Sequence, residues 1–162
     1  MTTNLKITTR LVSSPLEFAA LEDSWNSLYD SVEAATLFSS WDWLYTWWEV
    51  YAGCDLRDLF VLCFYEDGQL VGIAPFQIER KYPHTYIQGR TLRFLASGES
   101  LKDNVATPFV DLLILPGYED AVIESLESTL QLYRKRWDFA EFDFLLEDAL
   151  IFRCFKNMDS IH

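Results

Sequence analysis

The side chains that could act as a general base are few and lie far apart in this sequence. His84 follows a proline in a loop, Asp103 lies in a polar loop, and Asp111 lies inside an apolar run, where burial could shift its pKa. A solvated loop histidine is the ordinary interpretation of His84, and Asp111 could equally be a solvent-side residue of a half-exposed strand. No sequence context pairs either histidine with a serine or cysteine nucleophile. The catalytic residues are therefore unknown at this stage, with Asp111, Asp103 and His84 as weak candidates.

The cysteines predict neither a metal site nor a disulfide framework. Cys54, Cys63 and Cys154 are odd in number and share no ligand spacing with His84 or His162. Reduced thiols in a cytosolic protein are the simplest interpretation. We therefore predict no metal and a cytoplasmic location.

An acidic run near the end of the chain has two interpretations. It consists of Glu141, Asp143, Glu147 and Asp148. The first interpretation is a solvated strand face and the turn after it. Metal binding is the minor alternative.

Residues 37–53 are the most unusual stretch, because they hold four of the six tryptophans. At helical spacing the polar residues Ser39, Asp42, Thr46 and Glu49 fall on one narrow stripe, and the rest is large and apolar. The pattern predicts a helix that is nearly buried, with Ser39 as N-cap, Asp42 as a capping-box residue and Gly53 just past its end.

This aromatic helix admits three functions. Its residues could simply pack in the core, which is what most buried aromatic residues do. One or two of Trp41, Trp43 and Trp47 could stack on a carbohydrate or another small-molecule substrate. The helix could also dock against another domain or a second copy of the chain. Spacing alone does not separate these alternatives.

Composition excludes some partners. The chain has 162 residues, half of them hydrophobic and 16% aromatic, and a formal net charge of −12. Such a charge repels phosphate backbones, so we predict no nucleic-acid partner. The first residues lack the apolar core of a signal peptide, and no 18-residue apolar run occurs, so we also predict no membrane partner. The length fits a single domain over residues 1–162.

Periodicity predicts a mixed α/β domain. Strands are expected over residues 5–12, 59–65, 70–80, 91–96, 109–115 and 139–146, and helices over 15–30, 119–137 and from 149 onward, in addition to the aromatic helix. Asp67-Gly68 predicts a hairpin turn. Pro75 cannot donate a ladder hydrogen bond, so we expect a bulge or a locally unpaired edge there.

Four motifs in this order resemble a known family. FSSWDWLYTWW at residues 38–48 resembles F-x-S-x-x-W-L-x-x-W, and GQLVGIAPF at 68–76 resembles G-x-L-V-G-x-x-P-L. LRFLASG at 92–98 resembles L-R-F-L-G, and RWD at 136–138 resembles the W-D before the family's next strand. These are signatures of the cellulose-biosynthesis-associated (CelD/BcsL-type) acetyltransferases of the GNAT superfamily.

The resemblance implies a fold and a place in a larger protein. It implies a GNAT-like, mostly antiparallel sheet flanked by helices, of the α+β (mixed α/β) class. Members of that family are about twice as long and resemble double-GNAT transferases, whose second half binds acetyl-coenzyme A. On this basis the chain is expected to be the N-terminal half, with a C-terminal GNAT domain or a second copy of the chain as partner.

The segment equivalent to the family's pyrophosphate loop does not suit an anionic ligand. That loop needs glycine-rich backbone N–H groups at a helix N-terminus. Here the place is taken by residues 115–120, where Pro116 lacks an N–H and Glu119 and Asp120 bring negative charge. We therefore expect this chain to bind no cofactor, although acetyl-coenzyme A is implied for the full-length family.

Two functions remain open from the sequence. In the first, the domain forms the acceptor side of a cleft for acyl transfer from acetyl-coenzyme A to a polysaccharide, cell-envelope or small amine or hydroxyl acceptor. In the second, it is a non-catalytic GNAT-like binding or dimerisation module.

Overall fold

A hairpin of two long strands lies at the centre of the sheet. The computed structural model describes residues 6–52, 56–80, 89–99, 105 and 107–158. Strands β2 (Arg57–Glu66) and β3 (Gln69–Arg80) form an antiparallel hairpin. Asp67 and Gly68 make its turn with φ of 45° and 82°, as the Asp-Gly pair predicts.

The other elements complete a mixed sheet with helices on both faces. In chain order they are β1 (Thr8–Val12), α1 (Pro15–Ala19), α2 (Glu22–Asp30), α3 (Trp41–Tyr51), β4 (Arg90–Phe94), β5 (Leu113–Ile114), α4 (Glu119–Leu132), β6 (Phe139–Ala140) and α5 (Ile151–Met158). The strand order is β1-β2-β3-β4-β6, and β5 pairs with β3. Among these described strands only the β4–β6 pair is parallel. The fold class predicted from the sequence is confirmed.

Successive side chains of β2 lie in two separate hydrophobic cores, one on each face of the sheet. Phe60, Leu62 and Phe64 face the layer formed by α4 and α5. Val61 and Cys63 face the layer formed by α1, α2 and α3. A strand covered on both faces reads as a continuous apolar run, which is why this one lacks the polar alternation of a surface strand.

Pro75 lies where the neighbour of β3 changes. β5 pairs with Gly72 and Ile73, whereas β4 pairs only from Phe76 onward. The carbonyl of Pro75 accepts a hydrogen bond from Leu95 on that side, so the missing N–H of the proline faces the interruption. The predicted unpaired edge is therefore confirmed. The bulge lies elsewhere, because the register shifts between Phe64 and Tyr65.

The first helices differ from the prediction in their limits. The helix predicted for residues 15–30 is divided into α1 and α2, although its predicted apolar face is buried as expected. The N-cap of α3 is Ser40 and not Ser39, because residues 37–39 form a 3₁₀ turn that moves the helix start by one residue. Ser40 accepts the N–H of Trp43, so Asp42 is not a capping-box residue. Gly53 lies outside the described residues.

Two predicted strands are much shorter than expected. Only Leu113–Ile114 and Phe139–Ala140 pair within the runs 109–115 and 139–146. Phe109 and Phe144 adopt φ of 61° and 54°, and the N–H of Phe109 donates to the carbonyl of Phe144. A left-handed residue cannot continue a strand, so this pair turns both segments away from the sheet.

Gly72 allows α4 to approach the hairpin. A Cβ added at Gly72 would lie 2.9 Å from Cγ1 of Val122, closer than real Cβ contacts.

We predict that Gly72→Ala destabilises the domain by about 1–3 kcal/mol through overpacking. The measurement is urea unfolding of Gly72→Ala, Val122→Ala and the double variant. The double variant should lose less stability than the sum of the two single losses. Simple additivity would mean that contact with Val122 is not what requires the glycine.

Candidate functional site: an aromatic groove and a buried ionic cluster

A groove of about 810 Å³ lies along the outer side of α2 and α3. Its volume is within the range of about 300–1,000 Å³ that is usual for small-ligand sites. Its walls are aromatic and its rim is polar. The lining residues are Asn26, Tyr29, Asp30, Leu37, Ser40, Asp42, Trp43, Thr46, Trp47, Val50, Tyr51 and Val105.

The structure brings together two of the three tryptophans named as substrate candidates. Trp43 and Trp47 lie one helical turn apart on α3 and both line the groove. Trp43 is half-buried, whereas Trp47 is only 4% exposed and forms the floor. Trp41 lies in the core instead. It stacks on Tyr45 at 4.3 Å between ring centroids, and its indole N–H donates to the carbonyl of Phe18.

Residues of the segment that follows β4 hold both groove tryptophans in place. The indole N–H of Trp47 donates to the carboxylate of Glu99, and that of Trp43 donates to the hydroxyl of Thr107 at 3.3 Å. Tryptophan has a single polar atom. With that atom already bonded within the protein, the half-buried indole of Trp43 presents carbon surface to a ligand.

An arginine lies behind the floor of the groove. The guanidinium carbon of Arg57 is 5.1 Å from the ring centroid of Trp47, within cation–π range. Its nitrogens donate to Gln77 at 2.9 Å and to the carbonyls of Ser97 and Gly98 at 3.1 and 2.7 Å. The Arg57 side chain is buried, and its charge is compensated by the carboxylate of Glu79 at 3.7 Å.

Arg93 of β4 is the centre of a second polar cluster. Its guanidinium donates to Glu79 at 2.8 Å, to Glu141 at 2.7 Å and to Asp143 at 3.3 Å. Burial alone would lower the pKa of Arg93, but Glu79 and Glu141 outweigh this and raise it, so the group stays charged. A polar cavity of about 290 Å³ lies beside the cluster and is also lined by Glu99 and Thr107.

Sequence reasoning did not single out this ionic cluster. Glu141 and Asp143 are about half exposed, as the solvated interpretation predicts, but they lie beyond the end of β6 and both pair with Arg93. The sequence feature that could have indicated the cluster is a set of charged or amide residues inside otherwise apolar strands, namely Gln77, Glu79 and Arg93. Their partners are distant in sequence, so the pattern alone could not pair them.

Asp111 does not lie in the groove. It borders a separate cavity of about 400 Å³ between residues 32–36 and the start of α5. Its carboxylate accepts the N–H groups of Leu150 and Ile151 at 2.5 and 3.1 Å and thereby caps α5. Burial raises the pKa of Asp111, and these backbone hydrogen bonds oppose the rise. Both carboxylate oxygens are thus engaged in holding α5. The other two candidates, His84 and Asp103, lie outside the described residues.

The N-terminus of α4 is occupied by the chain's own acids. The N–H of Gly117 donates to the carboxylate of Glu119 at 2.8 Å. Asp120, in the first turn of α4, pairs with Arg153 of α5. A carboxylate therefore stands at the position where a phosphate would meet the helix dipole.

Two kinds of feature are absent from the described part of the chain. Within it, no group of three or more histidine, cysteine, aspartate or glutamate side chains is placed to hold a metal ion. None of the helices within the described residues combines the length and the apolar character needed to cross a bilayer.

Comparison with known proteins gives a structural neighbour but no family. No protein-family model matches the chain, and no curated protein matches it. Among solved structures, the chain is similar to the crystal structure of a GNAT family acetyltransferase from Staphylococcus aureus subsp. aureus USA300_TCH1516. The two are 14% identical, the alignment covers 86% of this chain and 87% of that chain, and the TM-score is 0.43. A similarity at this level says nothing about activity or ligands.

The Arg93 cluster makes a testable prediction about stability. We predict that Arg93→Gln lowers the free energy of unfolding by about 3 kcal/mol, because it removes the buried cation that three carboxylates share. The matched control is Arg90→Gln on the same strand, whose ion pair with Asp138 is about half exposed and should matter little. Urea unfolding measures both. Equal losses in the two variants would show that burial of the cluster has no special role.

Proposed function

We propose that this chain is the acceptor-binding domain of a GNAT-type acyltransferase. Its aromatic groove would hold a polysaccharide, a cell-envelope component or a small amine or hydroxyl acceptor. Acetyl-coenzyme A would be carried by a C-terminal GNAT domain or by a second copy of the chain. The four ordered motifs that resemble the CelD/BcsL-type acetyltransferases support the choice of reaction.

The groove is the observation that carries the proposal. It combines the carbon surface of Trp43 and Tyr51 with the hydroxyl of Thr46 and other polar groups at its rim. Aromatic faces pack well against the C–H faces of sugar rings, and a polar rim can bind the hydroxyl groups at the ring edges. Core packing alone does not require such a groove on the outer side of a helix.

The turn before α4 supports placing the acyl donor elsewhere. The carboxylate of Glu119 already accepts the N–H of Gly117 there, and Asp120 pairs with Arg153. A pyrophosphate would have to displace the Glu119 carboxylate and would be repelled by the charge of both acids. The chain would therefore contribute recognition of the acceptor, while the oxyanion stabilisation required for acyl transfer would come from the donor-bearing domain.

A second candidate function is a non-catalytic binding or dimerisation module. It is favoured by exposed apolar side chains that lie close together in sequence within and after β6, where Phe139, Phe144 and Leu146 are each about half exposed or more. Exposed apolar residues that form a contiguous patch are typical of interaction surfaces. A dimer at micromolar concentration, together with an empty groove in the binding experiment below, would favour this alternative.

The groove is tested by removing its accessible tryptophan. The probes are labelled oligomers of glucose, N-acetylglucosamine and glucosamine, measured by isothermal titration or on an array. We predict that at least one is bound and that Trp43→Ala weakens binding at least about fivefold, because the loss of an aromatic contact costs about 1 kcal/mol or more.

The control for Trp43→Ala is Leu132→Ala on α4. Leu132 is 77% exposed and does not line the groove, so its truncation should leave binding unchanged. Failure of every probe to bind, or equal binding by Trp43→Ala, would contradict a ligand function for the groove.

The location of the donor is tested by thermal unfolding with acetyl-coenzyme A. We predict no increase in the melting temperature of this chain at millimolar acetyl-coenzyme A. A site with a dissociation constant of about 10 µM would stabilise the fold by about 2.7 kcal/mol at a hundredfold excess, which is several degrees for a domain of this size. A clear increase would show that the chain binds its own donor.

A further inference from the structure

The charged residues in the described lining of the aromatic groove all have the same sign. Asp30 ends α2 and Asp42 lies in the first turn of α3, and both side chains are exposed. Among the described lining residues there is no lysine, arginine or histidine. Arg57 is separated from the groove by the ring of Trp47 and is held by Gln77 and backbone carbonyls.

The aromatic walls favour the same ligand charge as the carboxylates do. The faces of Trp43, Tyr29 and Tyr51 carry the negative side of the ring quadrupole, which attracts cations. The chain as a whole has a formal charge of −12, so its long-range field also attracts cations and repels anions. An anionic ligand would be opposed by each of these contributions.

We infer that the groove binds an amino-sugar oligosaccharide, a ligand that carries protonated amines on sugar rings. Its C–H faces pack on Trp43 and Tyr51, its amines pair with Asp30 and Asp42, and its hydroxyls reach Thr46. A flexible aliphatic polyamine would supply the charge but would leave the aromatic walls poorly covered. This inference rests on the proposed function and narrows the acceptor class within it.

The test compares two ligands with the same sugar backbone, one carrying amines and the other N-acetyl groups in their place. The 162-residue chain is titrated calorimetrically with the glucosamine tetramer and with the fully N-acetylated tetramer, at about pH 6, so that the sugar amines carry charge. The expected result is an affinity for the amine form about tenfold or more above that of the neutral form. The preference should decrease as salt is raised, because the groups at the rim are exposed.

Variants that remove one carboxylate each test whether Asp30 and Asp42 cause the preference for the amine tetramer. Asp42→Asn and Asp30→Asn should each weaken binding of the amine tetramer by about two- to fivefold, as expected for exposed ion pairs, and should leave binding of the neutral tetramer unchanged. The matched control is Glu49→Gln, which removes the same charge from α3 at an exposed residue that does not line the groove. It should change neither affinity.

Each remaining outcome has a definite meaning. Equal binding of the two tetramers would overturn the inference about charge and would leave the groove as a ligand site, since the Trp43→Ala experiment is independent of ligand charge. A preference that Glu49→Gln reduces as much as Asp42→Asn would also overturn it, because the effect would then come from the net charge alone. Binding of neither tetramer would overturn it as well, and the result with the other saccharide probes would then decide on the proposed function separately.

Discussion

Pro75, which has no N–H, lies at the point where β3 changes its pairing partner in the sheet. At that position β3 exchanges one neighbour for another, with β5 beside Ile73 and β4 beginning at Phe76. Among the described residues, the chain leaves the sheet after Phe94 and next enters a strand at Leu113. Described residues of this excursion hold Arg57 and the two groove tryptophans. The interruption in the ladder thus places polar loop residues against the aromatic helix.

The groove and the ionic cluster share residues of the segment that follows β4. Glu99 and Thr107 each bind a tryptophan indole that lines the groove, and both also line the polar cavity beside Arg93. Arg93 in turn connects β4 to the segment after β6 through Glu141. A buried ion pair is weak evidence for stability but strongly disfavours any arrangement that leaves one partner alone. This property suits a groove whose walls come from distant parts of the chain.

Local signals in the sequence were sufficient for most of the elements. Asp67-Gly68 forms the predicted turn. Ser14 and Glu17 begin α1 with a local capping pattern, and Phe18 and Trp25, seven residues apart, lie on the buried face of the first helices. The errors occur where a tertiary contact outweighs propensity. Phe109 and Phe144 are residues that favour strands, but both adopt left-handed conformations, and the N–H of Phe109 donates to the carbonyl of Phe144.

The sequence by itself therefore determined the fold class, the central two-sided hairpin and the aromatic helix, because each depends on periodicity and turn chemistry within a short stretch. Only the tertiary structure decided which tryptophans line a groove and which, like Trp41, lie in the core. It also decided that Asp111 caps α5 and that Arg93 gathers three carboxylates. Those roles depend on partners about 14 to 50 residues away, and the pairing of groups so far apart follows from how the layers pack and not from any local pattern.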